Sequence, residues 1–169
     1  MTFTYQLDNA AEGISQKEEG TILVANDKYK LTIMGIQQIF DGTSIYTIDS
    51  LNEEVIIQDE YSFDNPLNPL DIFEFHKEGY MLQWDIAQRV LGRDIRYVKL
   101  IPTEGGSQSK YLLLGIDIAS KQLYKIIDLG INGTDTTFTV EEFAANNPIA
   151  PKTFLFDKDK YENYYIDRF

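Results

Sequence analysis

The chain has 169 residues, 15 basic and 27 acidic, for a formal charge of −12, with one histidine and no cysteine. Disulfides, thiolate nucleophiles and Cys-based zinc sites are excluded, and a multi-His metal site cannot form within one chain. The negative balance argues against nucleic acid, whose phosphates need clustered Lys and Arg, and equally against anionic lipid headgroups.

Period-two alternation dominates the first third. Phe3, Tyr5 and Leu7 fall on one face, Thr4 and Gln6 on the other. An apolar run at 21–25 ends at the turn Asn26-Asp27, and Tyr29, Leu31 and Ile33 alternate with Lys28, Lys30 and Thr32. Gly35 interrupts, Ile36–Phe40 follows, and Asp41-Gly42 is a hairpin signal. Ile45–Ile48 and Val55–Ile57 complete about six short antiparallel strands over 2–58.

Residues 59–66 read as an acidic loop. A short helix is expected next, with Asn68 as N-cap, Pro69 in the first turn and Gly79 as the stop. Leu70, Ile72, Phe73 and Phe75 give it an apolar face that must dock. Tyr80–Trp84 fits a strand, and Asp85–Gly92 fits a second short helix, with Ile86 and Val90 one turn apart. Strands resume at Ile95–Ile101, Lys110–Ile118, Gln122–Leu129 and Thr134–Phe143, and two aromatic segments, Phe154–Phe156 and Tyr164–Ile166, close the chain. The expected architecture is a mainly β (α+β), single open antiparallel barrel of about 10–11 strands, one domain over 1–169, with a helical insert at about 68–92 as a lid.

Catalytic patterns are weak. There is no Gly-x-Ser-x-Gly, and His76 sits late in the expected helix, where the helix terminus favours it without any reaction. Gly105-Gly106-Ser107 with Lys110 lacks phosphate-loop spacing, and Asp157-Lys158-Asp159 lacks the glycine and distal Glu of a calcium loop. The doublets Glu53-Glu54, Asp59-Glu60 and Glu141-Glu142 point to opposite strand faces, so none aims two carboxylates at one substrate. Asn132-Gly133-Thr134 fits a glycosylation sequon and equally an ordinary turn, the preferred reading. No enzyme activity, metal or cofactor is expected.

What remains is apolar. Ile22–Val24, Ile36–Phe40, Val55–Ile57 and Leu112–Leu114 are greasy on both faces. Either a closed core packs both, or one face lines a cavity for an apolar ligand.

Gly20-Thr21-Ile22-Leu23-Val24 followed by Tyr29–Ile33 resembles the opening of the periplasmic outer-membrane lipoprotein carrier (LolA-like) proteins, in the form found in Bacteroidetes. Asp41–Ile48 resembles that family's hairpin, Leu67–Tyr80 its inserted helix, and Phe154–Asp157 through Tyr164–Arg168 its closing signature. The resemblance implies an unclosed half-barrel that binds lipoprotein acyl chains and carries them across the periplasm, as a monomer without catalysis. It implies an inner-membrane releasing complex and an outer-membrane acceptor as partners. The family's latch, a basic residue after the second strand, has no counterpart at Asn26-Asp27. The likeness starts at the family's first strand, so its N-terminal helix and signal peptide are expected outside this chain. On this reading the cavity residues are Phe3, Tyr5, Leu7, Leu23, Tyr29, Leu31, Ile33, Ile45, Tyr46, Ile48, Val55 and Ile57, and the lid residues Leu70, Phe73 and Phe75. The alternative is an envelope protein-interaction or sensing module of the same fold without lipid.

Overall fold

A computed structural model describes residues 1–59, 79–103 and 105–169. The strands expected over 2–58 form as β1 (Thr2–Asn9), β2 (Ile14–Ala25), β3 (Lys28–Ile33), β4 (Ile36–Phe40), β5 (Ile45–Asp49) and β6 (Glu54–Gln58). They are followed by β7 (Tyr80–Val90), β8 (Arg93–Pro102), β9 (Ser109–Asp117), β10 (Leu123–Gly130), β11 (Thr134–Glu142) and β12 (Tyr165–Arg168). Two single 3-10 turns, Pro151–Phe154 and Lys158–Tyr161, precede β12. The protein is mainly β, as its alternation implies.

Turn chemistry sets the hairpins. Met34 and Gly35 both take positive φ (54° and 76°), as do Leu91 and Gly92 (49° and 78°). Two left-handed residues in a row match the right-handed twist of the flanking strands. The Asp41 carboxylate accepts the backbone N–H groups of Thr43 and Ser44, each at 2.9 Å, and so closes the β4–β5 turn.

Three expectations change. The second helix expected over Asp85–Gly92 is strand: β7 pairs with β8 from Tyr80 opposite Pro102 to Val90 opposite Arg93. The four-residue spacing of Ile86 and Val90 suits a period of two as well as 3.6, and the long ladder decides. The insert expected at 68–92 therefore gives way to strand and hairpin from Tyr80 onward, and the lid residues Leu70, Phe73 and Phe75 lie outside the described residues. The sheet also holds twelve strands rather than 10–11, and it is not wholly antiparallel, because β12 runs parallel to β6.

The strand order is β12-β6-β5-β4-β3-β2-β1-β11-β10-β9-β8-β7. Contacts cluster the described residues into two compact units, 1–19 with 79–143 and 20–59 with 144–169.

In the second unit the register places Ile22, Tyr29, Leu31, Ile33, Gln38, Phe40 and Ile45 on one face. Tyr29 is fully buried there, and its hydroxyl donates to Gln38 Oε1 at 2.7 Å. On the opposite face Ile39, Ile48, Val55 and Ile57 form a core covered by Phe156, Tyr161, Tyr164 and Ile166. Tyr46 stacks on Phe156 at 4.7 Å between centroids, and Phe156 on Tyr161 at 5.4 Å. The C-terminal aromatics are thus cladding for one side of this sheet.

Candidate functional site

The first unit carries a continuous apolar face across six strands. Directly opposed residues of a ladder share a face, and alternate residues along a strand repeat it. Read across β1, β11, β10, β9, β8 and β7, one row is Tyr5, Phe138, Ile126, Leu114, Val98 and Trp84. The next row is Leu7, Thr136, Asp128, Leu112, Leu100 and Leu82. Phe3 opposite Val140 extends the face, and the Phe3 and Phe138 rings stack 4.5 Å apart.

The reverse side of β1 and β11 is polar. Thr4, Gln6, Thr137 and Thr139 lie there, with Lys125 alongside. Farther across, the reverse side carries a small cluster of Ile95, Tyr97 and Tyr124, flanked by Val90, Leu113 and Ile127. Cations seat on its aromatic rings: Lys99 Nζ lies 3.7 Å from the Tyr111 centroid, and Arg93 lies 4.7 Å from that of Tyr124. Leu112 and Leu114 therefore face the rows, while Leu113 serves the cluster behind, which explains why that strand is greasy on both sides.

Coverage of the rows falls off toward β7. Ile126 and Leu100 are buried, whereas Leu82 is 55% and Trp84 70% exposed. One carboxyl interrupts the face. Asp128 lies between Thr136 and Leu112, and its Oδ1 is shielded from solvent with no hydrogen-bond partner. Burial raises the Tyr5 and Tyr80 hydroxyl pKa values above the ordinary tyrosine value, and the Asp128 charge raises both further. Among the described residues no group of three His, Cys, Asp or Glu side chains could hold a metal ion.

The twelve cavity residues expected from sequence do not share one face. Phe3, Tyr5 and Leu7 belong to the apolar face of the first unit. In the second unit Tyr29, Leu31, Ile33 and Ile45 lie on one side, while Leu23, Tyr46, Ile48, Val55 and Ile57 lie on the other. Tyr46, Ile48, Val55 and Ile57 are taken up by the C-terminal cladding, and Leu23 is 39% exposed. Ile45 and Tyr46 are consecutive strand residues, so they point apart. Sequence reasoning missed Phe138, Ile126, Val98 and Asp128. The alternation Thr136, Phe138, Val140 was the available signal, but the pairing that aligns it with β1 is non-local.

Two further sequence candidates resolve as turns. Asn132 Oδ1 accepts the Thr134 N–H at 3.0 Å, and Ser107 closes a local loop with Ser109. His76 lies outside the described residues.

No family model and no curated protein matches the chain. Among solved structures, an uncharacterized conserved protein from Thermus thermophilus superposes with a TM-score of 0.63, over 99% of this chain and 90% of its own, at 11% identity. The fold is thus shared at very low identity. A LolA superfamily protein from Nitrosomonas europaea gives a TM-score of 0.46 at 11% identity, covering 93% of this chain and 89% of its own. MucB gives 0.49 at 15% identity, covering 92% of this chain and 57% of its own. Among the described residues no helix is long and apolar enough to cross a membrane.

Proposed function

We propose that this protein is a periplasmic carrier of the LolA-like type, which binds lipoprotein acyl chains and shuttles them toward the outer membrane. The observation that carries this reading is the apolar face of the first unit: Phe3, Tyr5, Leu7, Leu112, Leu114, Ile126 and Phe138 share it, and polar residues back β1 and β11. The order of motifs along the sequence supports it as well. An acyl chain laid on such a face gains about 0.8 kcal/mol per buried methylene. Sixteen carbons fully buried would give roughly 12 kcal/mol, nanomolar binding that resists release. A face left partly open toward β7 suits a carrier, because incomplete burial lets the cargo go. By the same resemblance an inner-membrane complex loads it and an outer-membrane acceptor unloads it.

The test is direct. Delipidated protein is titrated with a fluorescent fatty-acid probe, and palmitate is added as competitor. Saturable uptake with displacement by palmitate is the expected result, and native mass spectrometry should show one acyl-chain adduct. Absence of uptake, with the fold intact by circular dichroism, overturns the reading.

A second reading, a protein-interaction module without lipid, is favoured by β7. It is an end strand of eleven residues, with Met81, Leu82, Trp84 and Ile86 all more than half exposed. A long apolar edge strand can pair with an extended peptide.

A further inference from the structure

We propose that Asp128 gives this face a preference for a hydrogen-bond donor, above all a protonated amine, over a carboxylate at the polar end of a bound aliphatic chain. The inference rests on the carrier reading and adds a head-group preference to it. Asp128 is the one carboxylate in the two rows, set between Thr136 and Leu112 with Ile126 two residues before it. Its shielded Oδ1 lacks a partner, which is costly in an apolar surround and is relieved by an incoming donor. An ammonium group has three donors and no acceptor. The oxygens at hand suit it: the Asp128 carboxylate, the Thr136 hydroxyl opposite, and the Tyr5 hydroxyl in the adjoining row, which feels the Asp128 charge. A carboxylate head would meet the same oxygen as a like charge and bind more weakly. The formal charge of −12 also draws cations toward the protein. The aliphatic tail then follows the neighbouring row over Ile126, Phe138 and Leu114.

The experiment compares dodecylamine, dodecanol and laurate, each below its micellar concentration, by calorimetry on delipidated wild type, Asp128→Asn and the surface control Glu162→Gln. Dodecylamine should bind wild type at least about 10-fold more tightly than laurate, a difference a single charge-assisted hydrogen bond can supply. Asp128→Asn should shrink that ratio about tenfold with dodecanol unchanged, and Glu162→Gln should preserve it. The wild-type ratio is a readout that needs no variant. Equal binding of all three ligands, a preference for laurate, or an amine preference that survives Asp128→Asn overturns the head-group assignment while leaving the carrier reading intact. Failure of every ligand to bind overturns the carrier reading itself.

Discussion

Arg168 grips Asp59 from 109 positions along the chain, with Nε and Nη2 each donating to a separate carboxylate oxygen at 2.7 Å. This two-pronged pair ties the last residues of the chain to the end of β6. Beside it, the Phe169 N–H donates to the Ile57 carbonyl at 2.9 Å, and the Asp59 N–H to the Phe169 carbonyl at 3.2 Å. Ser44 adds a hydroxyl donor to Asp59 at 3.2 Å.

Arg168→Ala should loosen β12. The pair is exposed, so the effect on global stability is small, but the C-terminal amides should exchange faster by hydrogen exchange and salt should have less effect than in wild type. The Arg168 hydrogen bond holds the Asp59 carboxyl below the ordinary aspartate value of about 3.9, against an upward push from desolvation. A depressed folded-state pKa stabilises above the unfolded value and is lost as pH falls through the folded one. Protection of β12 should therefore hold above about pH 4 and decline below it, and this decline should vanish in Asp59→Asn.

Gly115→Ala should destabilise the first unit. A Cβ there would meet Tyr97 Cε1 at 2.8 Å and Ile95 Cγ2 at 3.2 Å. The Tyr97 ring occupies the place of the missing side chain, so the methyl group overpacks the cluster by about 1–3 kcal/mol. Adding Tyr97→Leu should recover part of the loss. Thermal melts of the single and double variants decide it, and equal melting of Gly115→Ala and wild type would contradict the packing.

Ile48→Ala should cost about 2–5 kcal/mol, because a side chain only 1% exposed leaves a cavity beneath the aromatic cladding. Denaturant titration checks the size. Phe156→Ala should destabilise the same core from above, and its effect should be non-additive with that of Ile48→Ala, since both serve one cluster.

Tyr29→Phe should cost about 1–3 kcal/mol by leaving the buried Gln38 Oε1 without its donor. Gln38 also donates to Thr47 Oγ1 at 3.3 Å, so the polar thread crosses three strands. Replacing both partners of the Tyr29–Gln38 bond, as Tyr29→Phe with Gln38→Leu, should be milder than the sum of the two single changes by urea unfolding.

Strands and turns were legible because their causes are local. Alternation at Phe3, Tyr5 and Leu7, the turn at Asn26, and the Asp41 side chain closing its own hairpin all operate within a few residues. The β7–β8 hairpin is not legible in the sequence, because Leu91-Gly92 is not the usual Asn-Gly or Asp-Gly pair and the spacing of Ile86 and Val90 suits helix and strand alike.

The sequence by itself determined a mainly β chain, the positions of most strands, 22 aromatic side chains and the absence of thiol chemistry. Only the tertiary structure decided what those aromatics cover. A strand such as Val55-Ile56-Ile57 is apolar on both sides, so its own residues cannot say which side is cladding and which is free. The answer comes from Phe156, Tyr161 and Tyr164, about a hundred residues later, settling over Val55 and Ile57. Asp128 is decided the same way. In sequence it is one acid among 27, and it becomes the lone carboxylate of the two rows only when four ladders align Leu7, Thr136, Leu112 and Leu100 beside it. Pairing register is non-local, and a slip of one residue would send every one of these side chains to the other face.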